Sequence, residues 1–388
     1  MDTLTNDETR RDTTGRVVRG PLHWTPPEAP QKNWWALVGG PLSVLIVLAI
    51  LSSNIQLPYV ALAPGGADPI NQLLSVPKDK AYPPKGSFLL TTVSLETIVR
   101  PYDFVRDWFD DNYQLIAKKD LLGGSSEQQY NREAQQDMTD SKQAAVVLAF
   151  RTLGYTVTEH GQGALITGIA SGDVPARGVL EAGDAITAAD GTPTLLATDL
   201  VTVLQKHKFN DTLNATVQKA DGSVVQKTLK LGSRTADNST CTTAADTGNG
   251  PCLGIGLGTK AHKFDLPFDV KIDTTGIGGP SAGLAFTLAL IDDLTPGELT
   301  GGRNVAVTGT IDIDGHVGEV GGVVQKTAAV RAAHAKLFLV PPGEFADASK
   351  HAGKDLKVVK VTTLNDALAA LAANGGDVPK LAGQSPGN

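Results

Sequence analysis

Cysteine is scarce, with two residues in a chain of 388. So few exclude both a disulfide scaffold and a cysteine-rich zinc site. No HExxH pairing occurs among the seven histidines, which removes the zincin type of centre, and no metal or cofactor is expected. The sequence also lacks a G-x4-G-K-[ST] stretch, so a Walker-type phosphate loop is not supported. Positive charge is in deficit: the formal net charge is -7, and the acidic excess is spread along the chain. A nucleic-acid partner would want a clustered basic face, so none is expected. The rest is ordinary for a globular protein, 41% hydrophobic and 19% charged, with length for two or three domains.

One long apolar run stands out. From Trp34 to Leu51 no charged residue interrupts it (WWALVGGPLSVLIVLAIL). Extended through Ile55 it reaches about 20 residues, what a helix needs to cross hydrocarbon. Trp34 and Trp35 stand at its start, where aromatic rings favour the headgroup region. Gly39, Gly40 and Pro41 would weaken a soluble helix but are tolerated in a membrane helix. The reading is one transmembrane helix over 34–55. Its rivals are a buried core helix and a cleaved signal peptide, for which Ala61 and Ala63 have the small-residue spacing. Against cleavage, the polar stretch before the run is long, and Pro64 would follow the cut directly. Arg16, Arg19 and Lys32 precede the run, and no Lys or Arg follows until Lys78. That bias puts the N-terminus in the cytoplasm and the remainder outside the cell membrane. An outside address permits a bridge between Cys241 and Cys252. Two free thiols are the alternative.

Seven segments follow from composition. Residues 1–33 read as a disordered cytoplasmic tail and 34–55 as the span. Residues 56–154 read as a leader and helical region packing partly on a later domain. Within them Ser87–Val93 (SFLLTTV) predicts a strand. Met138–Leu153 predicts a helix with its N-cap among Thr139, Asp140 and Ser141. Residues 155–231 carry short strands and the hairpin turns Asp190-Gly191 and Asp221-Gly222, which predict a β-rich module. Residues 232–252 form a linker. Residues 253–375 alternate strand and helix, with helices expected from Ser281 and from Val323, and 376–388 are a disordered tail. The fold class is α+β.

Two constellations carry chemistry. Gly276-Ile277-Gly278-Gly279-Pro280-Ser281-Ala282-Gly283 lies between a predicted strand and a helix. Glycines let the backbone turn and approach closely. A serine at the head of a helix faces unpaired N–H groups, which suit a developing oxyanion. Gly279, Ser281 and Ala282 are the candidate donors; an N-cap serine is the plainer reading. The second constellation is Gly321-Gly322-Val323-Val324-Gln325-Lys326, followed by Ala328, Ala329, Val330, Ala332 and Ala333. A lysine on so apolar a helix has its charged form disfavoured, which makes it a usable base. A surface lysine is the alternative. Ser with Lys is one variant of the nucleophile–base pairing.

Together the motifs resemble the proteolytic domain of the Lon proteases. That family places a PSAG serine upstream of a lysine in a GG-x-x-x-K helix, with a TG-x-I strand between. Here these are Pro280–Gly283, Thr308–Ile311 and Gly321–Lys326. The resemblance, over about 260–372, implies Ser281 as nucleophile, Lys326 as base and Thr308 as the residue holding the lysine. An acidic residue common in ATP-driven Lon just before the serine is replaced by Gly278 and Gly279, and this chain shows no ATPase module. The subgroup it is most similar to is therefore the membrane-anchored, PDZ-containing Lon-like proteases. The stretch GVLEAGDAI at Gly178–Ile186, followed by Asp190-Gly191, resembles a PDZ signature. It implies a peptide-terminus site whose carboxylate loop is placed at Gly163, Ala164, Leu165 and Ile166. His316, in a Gly-flanked turn, is not read as catalytic.

These features predict an ATP-independent serine endopeptidase acting on extracytoplasmic proteins or peptides. Homo-oligomerisation is left open. The rivals are a catalytically inactive PDZ-containing scaffold and a small-molecule kinase with a Gly/Ser-rich phosphate loop.

Overall fold

The computed structural model describes residues 54–235 and 240–379, together with Ser43. The predicted span therefore lies almost entirely outside the described residues. Among those described, no helix is long and apolar enough to cross a membrane.

The architecture is mixed α/β. Its larger sheet draws on two distant parts of the chain. Strands β1 (Tyr59–Pro69), β2 (Ser87–Glu96) and β3 (Gln114–Ala117) come before the PDZ-like stretch. Strands β9 (Asn304–Val307), β10 (Leu337–Val340) and β11 (Lys357–Lys360) come after it. The order is β11-β10-β9-β2-β1-β3. β9 runs parallel to both β2 and β10, whereas β1 pairs antiparallel with β2 and β3.

Alternation along these strands decides the layers, because successive side chains leave opposite faces of a sheet. Phe88, Leu90, Val305, Val307, Leu337 and Leu339 enter one core. Leu89, Ala306, Phe338 and Val340 enter another. The first core is closed by helices α1 (Glu127–Thr152), α3 (Gly283–Asp293) and α6 (Leu364–Ala373). The second is closed by α4 (Val323–Ala332) and α5 (Phe345–His351). Helix α3 is apolar on every side and is buried over nearly its whole length, as its central place demands.

Helix α1 begins eleven residues earlier than the sequence suggests, at Glu127 rather than Met138. Its N-cap is Ser126, whose side chain accepts from Gln129 N at 3.1 Å. Ser141 is buried mid-helix instead. The polar first half, EQQYNREAQQD, carries no apolar period, which is why pattern reading stopped short of it.

The smaller module is a sheet ordered β7-β6-β5-β4-β8. Its strands are β4 (Ala164–Ile169), β5 (Ala185–Ala189), β6 (Thr212–Gln218), β7 (Val224–Lys230) and β8 (Ile255–Thr259). Helix α2 (Ala197–Leu204) packs over it and contributes Leu200, Val203 and Leu204 to a separate core. Cys241 and Cys252 are bonded to each other, and their segments flank the strand Gly232–Arg234. The two connections to the larger domain pair as a neck, Thr158–His160 with Lys263–Asp265. There His160 Nε2 lies 2.6 Å from Asp265 Oδ2.

Candidate active site

Lys326 is brought inside by the start of α4. Gly322, the residue before the helix, has φ +68° and lies so close to β1 and β2 that a Cβ would meet Val93 Cγ1 at 2.6 Å. Only glycine fits both demands. The helix then begins with Lys326 N donating to Gly322 O at 2.9 Å. The lysine is 2% exposed. Its Nζ donates to Thr308 Oγ1 at 3.1 Å. Burial lowers its pKa from 10.5 to about 8, and the Glu344 carboxylate partly opposes that fall. Thr308 itself is fully buried at the end of β9, with its N–H on Leu339 O at 3.0 Å.

Ser281 lies two residues ahead of α3, in the turn that leads into the helix rather than in its first turn. Gly309 N donates to Ser281 O at 3.0 Å, and Thr308 Oγ1 lies 3.5 Å from the same oxygen. Gly283 is forced by crowding: a Cβ there would meet Ser141 Oγ at 2.8 Å and Ile311 Cγ2 at 2.9 Å. Ser281 and Lys326 line one cavity of about 190 Å³, walled by Leu90, Val93, Met138 and Ile277. Among the described residues no hydrogen bond joins the Ser281 hydroxyl to the amine, whose partner is Thr308.

The sequence did not reveal how much of this site comes from α1. Gly279 N donates to Ala134 O at 2.7 Å. Ser141 Oγ donates to Pro280 O at 2.9 Å. Lys142 Nζ donates to Thr274 Oγ1 at 3.1 Å. Met138, 2% exposed, forms part of the cavity wall. The Gly279 N–H is thus engaged, which leaves Ser281 and Ala282 as the unassigned backbone donors of the predicted three. Met138 and Ser141 sit three apart on one face of a helix, and that spacing was the available signal.

In the smaller module, Gly163, Ala164, Leu165 and Ile166 do not form an open loop. Strand β4 is interior, paired with β8 on one side and β5 on the other. Gly163 N donates to Leu195 O, and Ile166 N to Asp184 O. The sheet edge beside α2 is β8, which pairs only with β4 among the described residues. Between β8 and α2 lies a groove of about 390 Å³, lined by Leu200, Leu204, Ile255 and Leu257, with Arg234 and the Cys241–Cys252 bridge at its wall. The run LGIGLG at 253–258 forms this edge, and its glycines let another backbone approach.

His316 is exposed, with Nδ1 2.9 Å from Asp312 Oδ2, and is absent from the cavity lining. Asp312, Asp314 and His316 are the one group among the described residues whose ligand atoms lie close enough together to hold a metal ion, and all three are exposed.

Comparison with known proteins finds a family match for each module. Residues 258–373 match the profile of the Lon protease (S16) C-terminal proteolytic domain, and 152–231 match that of the PDZ domain. Lon protease 2 of Syntrophobacter fumaroxidans is 31% identical over 114 residues, 29% of this chain and 14% of its own. Lon protease of Xanthomonas oryzae pv. oryzae is 33% identical over 127 residues, 32% of this chain and 14% of its own. The match thus spans about one seventh of those relatives' length. The crystal structure of the PDZ domain of an SdrC-like protein from Listeria innocua is 25% identical, with a TM-score of 0.21. It covers 26% of this chain and 99% of its own. A Lon-type C-terminal proteolytic domain and a PDZ domain are both present in this chain.

Proposed function

We propose that the chain is an ATP-independent serine endopeptidase, tethered by the run Trp34–Ile55 and acting on proteins or peptides outside the membrane. The observation that carries this reading is the burial of the Lys326 amine in the cavity that holds Ser281. With a pKa of about 8 the amine is partly neutral at physiological pH and can take a proton.

In the proposed cycle neutral Lys326 accepts the Ser281 Oγ proton as Oγ attacks the scissile carbonyl. The Ser281 and Ala282 N–H groups hold the oxyanion. The Lys326 ammonium then protonates the leaving amine, which departs and leaves an acyl-enzyme. Water attacks that ester, giving its proton to Lys326, and the proton returns to Ser281 as the acid leaves. Thr308 holds the amine in place throughout. The PDZ module would take an exposed chain terminus as an added strand on β8, against α2.

The test is casein cleavage by the full chain beside Ser281→Ala and Lys326→Ala. Loss in both variants is expected. Equal cleavage by all three ends the proposal. Absence of cleavage in all three would favour the scaffold reading, for which the missing Ser281–Lys326 hydrogen bond is the motivating observation.

A further inference from the structure

Glu344 is a buried acid that the cycle above does not use. It stands immediately before α5, is 8% exposed, and belongs to the turn after β10. Its Oε1 accepts from Val320 N at 2.7 Å. Its Oε2 is buried with no hydrogen-bond partner among the described residues. Val320 leads directly into Gly321 and Gly322, the turn from which α4 starts. That turn is tight on both sides. Gly322 abuts Val93 and Leu62, and a Cβ on Gly343 would meet Glu319 Oε1 at 2.6 Å. Glu344 therefore ties the turn after β10 to the turn that launches the lysine.

The second consequence is electrical. A carboxylate in a poorly solvated place acts on a nearby cation more strongly than one in water. Helix α4 packs on β1, β2 and α5. The other ionisable groups there are Tyr59 and Asp68 on β1, Glu96 on β2, and Asp347, Lys350 and His351 on α5. All of these, with Glu319 in the adjoining turn and Arg331 on α4 itself, reach solvent, whereas Glu344 is buried. Among the described residues Glu344 is the charge whose attraction raises the Lys326 pKa, against the larger fall that burial causes.

We propose that Glu344 is a positioning residue of the Ser281–Lys326 pair: it fastens the Val320–Gly322 turn that aims Lys326, and its buried charge sets the field at the lysine amine. This rests on the proposed protease reading, yet one readout does not depend on cleavage. Glutamine at 344 keeps an acceptor for Val320 N–H and removes the charge. Aspartate keeps the charge and draws it back by one methylene.

The experiment is an NMR titration of the Lys326 ε-CH2 in the full chain, assigned by its loss in Lys326→Arg. Casein cleavage against pH runs in parallel. In Glu344→Gln the midpoint should fall by about half a unit, a roughly threefold shift between the charged and neutral amine. The rising limb of cleavage should move the same way. In Glu344→Asp the midpoint should stay near that of the wild type, while the cleavage plateau drops about threefold as the turn loosens. Should the glutamine variant fail to fold, the aspartate variant still gives an answer. An unchanged or raised midpoint in Glu344→Gln, or a wild-type plateau in Glu344→Asp, overturns the proposal. Cleavage indifferent to Ser281→Ala would sink the protease reading instead, leaving the titration to judge Glu344.

Discussion

The cavity at Ser281 and the groove at β8 differ in how far the chain travels to close them. The groove is nearly local: α2, β4 and β8 all lie between 164 and 259. The cavity needs β2 and α1 from before the PDZ module and α3 and α4 from after it. The PDZ module thus interrupts the chain between the two parts of the larger sheet. Both of its connections meet in the neck formed by Thr158–His160 and Lys263–Asp265. The chain leaving β8 at Thr259 passes through that neck before it reaches the loop bearing Ser281. The proposed peptide edge at β8 and the proposed nucleophile Ser281 are therefore joined by one connecting segment, whereas Lys326 stands further along the chain on α4.

The largest expected effect separates the two surfaces. Lys326→Met should lower cleavage by at least about a thousandfold, since the pair acts as a unit. It should bind a C-terminal peptide with wild-type affinity, read by fluorescence anisotropy. Equal loss of both would merge the two surfaces into one. The same variant should be more stable at neutral pH. The amine has a folded pKa of about 8, below its ordinary 10.5. Between those values the unfolded chain holds a proton that the folded chain has lost, so this group's contribution to stability rises with pH across the window. Below about pH 8 the folded state must bury the charge, at a cost of up to about 3 kcal/mol. Urea unfolding should find Lys326→Met more stable than wild type at pH 7 by up to that amount. The difference should fade towards pH 10.5. A constant difference across that range would place the amine in water.

Next in size is Thr308→Val, which removes the amine's hydrogen-bond partner while keeping the shape of the side chain. Cleavage should fall about tenfold, the worth of one hydrogen bond to a charged or reacting group. In the groove, Leu204→Ala shortens a side chain on its helical wall. Peptide affinity should drop about fivefold, a typical loss for one apolar contact. An unchanged affinity would move the peptide away from α2.

The unequal reach of the two sites also explains what could be read from the sequence. Ser281, Lys326 and Thr308 sit in short motifs whose glycines are fixed by close packing, Gly283 against Ser141 and Ile311 and Gly322 against Val93, and glycine is a residue type that a linear pattern exposes. Strands such as Leu337–Val340 were legible because a run buried on both faces is apolar throughout. Helix α1's role was hidden because Ala134, Met138, Ser141 and Lys142 act through packing and through single hydrogen bonds to a distant segment, for which no residue type is diagnostic. The carboxylate loop expected at Gly163–Ile166 falls at an interior strand, and a related reason kept that from view. Whether a strand is interior or at an edge depends on what pairs with it, and β8 lies beyond the matched PDZ stretch.

The smallest effect tests whether α1 belongs to the site or only lies beneath it. Ser141→Ala removes the donor to Pro280 O and leaves a methyl where Gly283 approaches the helix. The carbonyl sits one residue before Ser281, the proposed nucleophile, so freeing it lets that turn shift relative to Lys326. A neutral hydrogen bond of this kind contributes about 1 kcal/mol. If that bond acts on positioning, kcat should fall about threefold to fivefold with KM unchanged, because no substrate contact is lost. If it only stabilises the fold, urea unfolding should register the loss while kcat per folded molecule stays at the wild-type value. The first result would make the helix before the PDZ module part of the catalytic apparatus, and the second would confine that apparatus to the segment after it.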